Sequence, residues 1–226
     1  MHLHLTGPHP ERPRERLLRH GAAALTTAEL LAIILRTGVK GCGAVELGHR
    51  LLAEFGGLRS LLCTDSKRLM HARGLGSAKT CQLLAVKELN RRMLEEELKI
   101  GRPLNQPHRV KQFCLSQIGH LPVEHCIALY LDSQFHLIAW EEVSRGTLTQ
   151  TPIYPREIIK SCLKHHAAAI ILAHNHPSGV QEPSQADRSL TRHLEKALAL
   201  VDVRLLDHLI VTATHAVSLA ERGELG

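Results

Sequence analysis

The chain has 226 residues, of which 44% are hydrophobic and 22% are charged, with a net charge of +6. This length and composition suit two modest globular domains. Aromatic residues make up only 3%, which argues against an aromatic platform for stacked bases. There is no run of about 18 apolar residues and no apolar segment near the N-terminus. We therefore expect a cytoplasmic protein with neither a membrane span nor a signal peptide.

The positive charge is concentrated in the first part of the chain. Residues 1–100 contain 16 lysines and arginines against 10 acidic residues, whereas residues 101–226 contain 12 of each. A polyanionic partner would therefore be attracted to the N-terminal half. The six cysteines show no CxxC spacing, so neither a zinc ribbon nor a disulfide scaffold is indicated, and we predict buried, reduced thiols.

Short helices are predicted over residues 11–95. Thr26 and Glu29 have the spacing of a capping box in front of the apolar sequence LLAIIL. Residues 44–55 show helical apolar spacing, and the two glycines that follow predict the end of that helix.

Two further helices complete the predicted N-terminal domain, and a linker follows it. A short helix is predicted over 66–72 and a long one over 77–98. The segment 99–107 contains glycine and two prolines without periodicity, which is typical of a linker. The sequence thus predicts a helical domain over 1–98 and a second domain over 108–226.

The second domain alternates strand and helix patterns, which predicts an α/β fold with a largely buried sheet. The predicted strands and helices, in chain order, are the strands 125–132 and 135–148, the helix 155–166, the strand 167–176, the helix 184–201 and the strand 204–212.

A glycine-containing turn joins two of the predicted N-terminal helices. Residues 72–86 resemble the hairpin of a helix-hairpin-helix module. Gly74 and Gly76 can adopt positive φ and let backbone N–H groups approach a phosphate, and Lys79 could add a charge contact. Such a turn can also merely join two packed helices. The nucleic-acid contact predicted here is phosphate-based and poor in sequence discrimination.

The most informative pattern follows the buried strand. His174 and His176 are two residues apart, so on a strand they point to the same face. Ser184 and Asp187 have the spacing of an N-cap box, which would fix the carboxylate at the start of the next helix. Each part alone is common, but together they provide three ligands and leave a fourth position for water. That is the arrangement of a catalytic zinc site.

The complete pattern HxHx7SxxD, with Pro177 after the second histidine, resembles the JAMM signature of JAB/MPN metallopeptidase domains. The order of the two halves resembles the RadC family, through residues 12–38 and the segments PREI, ILAHNHPSG, PSQAD and LLDHLIV. This resemblance implies an α/β, cytidine-deaminase-like JAB/MPN domain, with a mixed sheet flanked by helices, after an all-α N-terminal domain.

The resemblance also implies roles for individual residues. One Zn2+ per chain would be held by His174, His176 and Asp187, and it would activate water and polarise a carbonyl. Ser184 would help to stabilise the developing oxyanion. A glutamate from an earlier strand would act as general base.

The identity of that glutamate is open between neighbours. Glu141 and Glu142 are adjacent on a predicted strand, so they point to opposite faces and only one can reach the metal. The spacing to Gly146 favours Glu141 by similarity to related sequences. Glu157, in the first turn of a predicted helix, is a lesser candidate.

Two functions compete. The first is a zinc-dependent peptidase or isopeptidase that acts on a protein or peptide and is localised to DNA by its N-terminal domain. The alternative is a DNA-binding repair or recombination factor whose metal domain is not proteolytic. A phosphodiesterase would favour two metals, and the motif supplies ligands for one. A structural metal is disfavoured by the open fourth position. The oligomeric state is left open.

Overall fold

The computed structural model describes residues 11–99, 107–146 and 153–225. It confirms the predicted class, because helices alone are followed by an α/β part with a mixed sheet. The chain divides into two compact units between Leu89 and Asn90, inside a helix that spans Ser77–Lys99. Most of the predicted linker over 99–107, residues 100–106, lies outside the described residues.

The first unit is built from short helices, as predicted. They are α1 (Pro13–His20), a 3-10 turn (Ala22–Ala24), α2 (Thr27–Leu35), α3 (Ala44–Phe55), α4 (Leu58–Cys63), α5 (Ser66–His71) and the first part of α6 (Ser77–Lys99). Of these, α3 has the predicted bounds, and α4 is a helix that the sequence pattern did not single out.

Local hydrogen bonds explain where these helices begin and end. The Thr26 hydroxyl accepts a bond from the N–H of Glu29, and the Glu29 carboxylate accepts one from the N–H of Thr26 at 2.8 Å. This is the predicted capping box of α2. Gly56 ends α3 in the left-handed region at φ 74°. The apolar sides of the helices enclose a core that includes Leu31, Leu35, Leu47, Leu51, Leu61, Leu69 and Leu83.

The second unit contains helices on both sides of one sheet. Its elements are α7 (Pro107–Ile118), β1 (His125–Leu131), β2 (Leu137–Arg145), α8 (Pro155–Lys164), β3 (Ala169–Asn175), α9 (Gln185–Ala199), β4 (Arg204–Val211) and β5 (Ala216–Ser218). The sequence pattern did not predict α7 or the three-residue β5.

The sheet has the strand order β2-β1-β3-β4-β5. Strand β1 is antiparallel to both β2 and β3. Strands β3 and β4 are parallel, because the chain crosses over through α9 between them. The sheet is therefore mixed, as the family resemblance implies.

Both faces of the sheet are covered. Ile127 and Ile171 point to the face on which α7 places Phe113. Leu172 points to the opposite face, where Leu194 of α9 packs against it with residues of α8. Because neighbouring strand residues alternate between the two faces, β1 and β3 are buried along their whole length.

The apolar character of the chain is explained by these cores. In the ranges that the structure describes, no helix is long and apolar enough for a membrane span.

All six cysteines are free, and four of them are buried. Burial raises the pKa of the Cys162 thiol to about 11, which keeps it protonated at neutral pH.

The packing of α9 on the sheet can be tested with matched leucines. Leu194 is fully buried, whereas Leu200, directly after α9, is 87% exposed. We expect Leu194→Ala to lower the free energy of unfolding of the second unit by about 2–5 kcal/mol, and Leu200→Ala to change it by less than about 0.5 kcal/mol. Urea unfolding followed by the fluorescence of Trp140, the single tryptophan, measures both. Equal losses would contradict the packing described here.

Candidate metal centre

The centre lies where β3 ends. His174 belongs to the last residues of β3, and His176 follows the strand directly. The backbone N–H of His176 donates to the carbonyl of Val211 in β4 at 2.8 Å. This bond continues the pairing of the two parallel strands by one step, so both histidines stay on one face, as the spacing predicts.

The third side chain comes from the first turn of α9. The Ser184 hydroxyl accepts a bond from the N–H of Asp187 at 3.1 Å, and the Asp187 carboxylate accepts one from the N–H of Ser184 at 2.7 Å. These reciprocal bonds form the predicted capping box. They fix the carboxylate beside the end of β3.

The three side chains converge on one point. The Nε2 atoms of His174 and His176 are 3.0 Å apart, and they lie 3.1 and 3.4 Å from the two carboxylate oxygens of Asp187. Ligands bound to tetrahedral zinc at about 2.0–2.1 Å would be about 3.3 Å from one another. The side chains of His174 and Asp187 are only 7% and 14% exposed. The donor atoms therefore fit a small divalent cation.

Hydrogen bonds and nearby charges set the protonation of His176 and Asp187. The Nδ1 atom of His176 lies 2.7 Å from the carbonyl oxygen of Val180. A carbonyl only accepts, so Nδ1 carries a hydrogen, and the neutral ring presents the lone pair of Nε2 to the cluster. The pKa of His176 is raised, mainly by Asp187 and further by the Val180 carbonyl and the charge of Glu124. Burial tends to raise the pKa of Asp187, but His174 and His176 hold it well below its usual range, so it is ionised.

Two arginines hold the loop between His176 and Ser184 in place through ion pairs and a hydrogen bond. Arg188 donates to the carboxylates of Glu182 and Glu224 at 3.0 and 2.7 Å, and it also donates to the carbonyl of Pro183. A second arginine, Arg222, also donates to the carboxylate of Glu182, at 2.6 Å. This network ties the loop to α9 and to the last described residues.

Asn175, between the two histidines, points to the opposite face and is 1% exposed. Its Oδ1 accepts a bond from the N–H of His125 at 2.7 Å, and its Nδ2 donates to the carbonyls of Leu121 and Val123 at 3.1 and 3.0 Å. The amide thereby fixes the chain that leads into β1. Its position between the histidines gives it a structural role that the HxH pattern does not reveal.

The segment fixed by Asn175 carries Glu124, a residue that the sequence analysis did not single out. Its carbonyl accepts a bond from the N–H of Gly146 at 3.0 Å, and its charge acts on His176. Because β1 is antiparallel to β3, the start of β1 lies beside the end of β3, with Cys126 opposite His174. Only the strand arrangement places this glutamate near the cluster.

The predicted base Glu141 is engaged elsewhere. It is paired with Ala128 of β1, and its carboxylate accepts bonds from Lys164, His165 and Ser161 at 2.8, 2.8 and 3.1 Å. These bonds lower its pKa to about 2, with Lys164 contributing most. All three partners belong to α8 or follow it directly. The assignment of Glu141 as base stays a prediction.

The other two candidate glutamates also have partners outside the cluster. Glu142 lies 3.0 Å from Nδ1 of His125. Glu157, at the start of α8, forms an ion pair with Lys160 at 3.0 Å, and this contact lowers its pKa. Glu141 and Glu142 do point to opposite faces, as strand alternation predicts, since they are paired with Ala128 and Ile127, which lie in different cores.

Two of the three predicted phosphate-binding residues, Lys79 and Gly74, have structural roles in the first unit. The ammonium of Lys79 donates to the carbonyl of Gly38 at 3.0 Å. Gly74 has φ 101°, a backbone conformation that residues with a side chain rarely adopt, so the shape of the turn alone accounts for a glycine there. Around Gly76 a Cβ would meet no atom within 4 Å. Nucleic-acid binding through this turn stays a prediction.

Two family models match the chain, one in each of the two units. Residues 104–224 match the family model described as RadC-like JAB domain, and residues 6–81 match the model described as UPF0758 N-terminal. The fold and the His174–His176–Asp187 cluster thus define a protein with a JAB-type domain.

Similar full-length proteins agree with this class. A UPF0758 protein of Bordetella parapertussis is 59% identical over 213 residues, which cover 94% of this chain and 95% of that protein. UPF0758 proteins of Chromobacterium violaceum and Thiobacillus denitrificans are 54% and 53% identical over 218 residues, 96% of this chain and 97% of each relative. The chain belongs to the UPF0758 proteins of the RadC family.

The role of Asn175 can be tested with an isosteric change. Asn175→Asp replaces the donor NH2 group by an oxygen that faces two carbonyls, so we expect a loss of about 3 kcal/mol or more in the free energy of unfolding. Asn90→Asp, at an exposed position of α6, is the control and should change it by less than about 0.5 kcal/mol. Urea unfolding measured by Trp140 fluorescence compares the two. A similarly small change in both variants would contradict the role of Asn175 in fixing the chain that leads into β1.

Proposed function

We propose that the chain is a zinc-dependent amide hydrolase, a peptidase or isopeptidase that acts on a protein or peptide. The observation that carries the proposal is the convergence of two histidine nitrogens and an ionised carboxylate at 3.0–3.4 Å from one another. Membership in a family with a JAB-type domain supports it. Zinc, when bound there, supplies a Lewis acid that acidifies water and polarises a carbonyl.

The remaining roles fall to residues around the cluster. Glu124 is the carboxylate that we assign as proton acceptor, because its charge acts on His176 and Asn175 fixes the backbone on both sides of it. A base there would take the proton from water and pass it to the leaving amine. Glu141, with a pKa near 2, is a poor acceptor at neutral pH.

Ser184 is suited to stabilise the developing oxyanion. Its oxygen accepts a bond from the N–H of Asp187, and a hydroxyl that accepts in this way still has one hydrogen to donate. Its position at the N-terminus of α9 adds the positive end of the helix dipole. Both effects favour negative charge on a substrate oxygen next to the cluster.

Amide hydrolysis fits the ligand set better than phosphodiester cleavage. Across the described parts of the chain, His174, His176 and Asp187 form the one group of three or more ligand side chains close enough to hold a metal. Two-metal phosphodiesterases need ligands for a second metal ion about 3.5–4 Å from the first.

The basic N-terminal half supports a role in localising the hydrolase to DNA, where the excess of lysine and arginine would contact phosphates.

Metal binding is the first test of the proposal. The purified protein should bind one zinc ion per chain, and His174→Ala and Asp187→Ala should lose it, because each removes one of three ligands. His193→Ala, at an exposed position of α9, is the matched control and should retain the metal. Elemental analysis after dialysis against a weak chelator measures the content. Full zinc retention in both ligand variants would refute the assigned site.

The base and the reaction are tested together in cells. Cells carrying the wild type, Glu124→Gln, Glu141→Gln or Glu142→Gln are compared for new protein termini and cleaved side-chain amide linkages. We expect cleavage in the wild type and in the last two variants, and a rate lower by about 10²–10⁴ in Glu124→Gln, with zinc content retained.

The other outcomes are equally informative. Loss of cleavage in Glu141→Gln alone would transfer the role of base to Glu141. Identical termini in all strains, including the His174→Ala strain, would overturn the hydrolase proposal.

A further inference from the structure

A buried histidine of β4 connects two of the candidate ligands. His208 is fully buried, and its Nε2 lies 2.8 Å from Nδ1 of His174. Its Nδ1 lies 2.7 Å from the hydroxyl oxygen of Thr191 in α9. That hydroxyl is 2.6 Å from the backbone carbonyl oxygen of Asp187. Four groups from β3, β4 and α9 therefore form one continuous chain of hydrogen bonds.

The direction of these bonds follows from counting hydrogens. The Asp187 carbonyl can only accept, so the single hydroxyl hydrogen of Thr191 must point to it. The Thr191 oxygen can then only accept from His208, which requires a hydrogen on Nδ1 of that ring. The Nε2 atom of a neutral His208 has a lone pair and accepts from Nδ1 of His174.

The surroundings of His208 favour a neutral imidazole ring. The partners of both His208 nitrogens are uncharged groups, a hydroxyl and an imidazole. Burying an imidazolium without a carboxylate partner costs several kcal/mol, of the order found for other unpaired buried charges. The His208 ring therefore holds one hydrogen, the one on Nδ1 that Thr191 accepts.

We propose that Thr191 and His208 are positioning residues that set the tautomer of His174, so that its Nε2 lone pair rather than an N–H group faces the metal position. The inference rests on the proposed metal role of His174. It explains why a histidine and a threonine are buried together behind the cluster.

The two candidate histidine ligands are thus oriented by different means. The tautomer of His176 is set by a backbone carbonyl, that of Val180, which no substitution removes. The tautomer of His174 depends on two side chains that a substitution can change. Without the Thr191 hydroxyl, the Nδ1 hydrogen of His208 has no acceptor, and the ring can instead carry its hydrogen on Nε2 and donate to His174. His174 would then present Nε2–H to the metal.

The experiment compares three threonine variants of the full chain. Thr191→Val removes the hydroxyl with little change in volume, and Thr191→Ser retains it. Thr212→Val is the control, because Thr212 is 3% exposed and its hydroxyl contacts the backbone of residues 214 and 215, outside the chain of bonds. Zinc affinity is measured at one pH by competition with a chromogenic chelator.

We expect Thr191→Val to bind zinc about 10–100-fold more weakly than the wild type, as other outer partners of metal-bound histidines do. Thr191→Ser should restore affinity close to that of the wild type, and Thr212→Val should leave it unchanged. Equal affinities of Thr191→Val and Thr212→Val would overturn the inference.

A second measurement locates the hydrogen of His174 directly. In the metal-free wild type with 15N-labelled histidine, NMR should show a hydrogen on Nδ1 of His174, and Thr191→Val should remove it. A wild-type His174 without a hydrogen on Nδ1 would refute the inferred chain of hydrogen bonds. If that occurs while zinc binding still requires His176 and Asp187, the proposed metal site stands. If the wild type binds no zinc, the proposed function itself fails and the inference falls with it.

Discussion

The parallel pairing of β3 with β4 is the constraint on which the candidate centre depends. The chain must leave β3, cross the sheet face through α9 and return beside β3, so the end of one strand and the start of one helix meet. His174 and Asp187 come from these two ends, and β4 contributes His208 behind them. The backbone bond from His176 to Val211 extends the same pairing beyond the strand. A shift in the register of β4 would therefore separate the ligands from the residues that orient them.

The polar groups at this end of the sheet are also part of the fold. His174, Asn175, Thr191 and His208 are buried, and each forms hydrogen bonds with a group from another element. An unpaired buried polar group costs about 1–3 kcal/mol. The apolar cores on the two faces hold the sheet together, whereas these bonds select one arrangement of its polar end. These bonds also fix the candidate ligand His174, and rigid positioning of ligands requires such support.

The parts of the structure that the sequence predicts are those set by residues close together in the chain. The capping boxes at Thr26 and Ser184 and the bounds of α3 depend on contacts within a few residues. The contacts of Asn175 with residues 121–125 and of His208 with His174 join segments 34–54 residues apart. They depend on strand order and direction, which local patterns do not contain. Strand alternation places Glu141 and Glu142 on opposite faces, but it cannot show that α8 brings Lys164 and His165 to Glu141.

The charges around the cluster bear on which glutamate is the better candidate for the proposed base. Two neutral histidines and ionised Asp187 would leave a divalent cation with one uncompensated positive charge, and Glu124 is the further carboxylate whose charge acts on His176. Glu141 is instead bound to a lysine and a histidine of α8. To accept a proton it would have to give up these bonds, so its position favours a structural contact between β2 and α8.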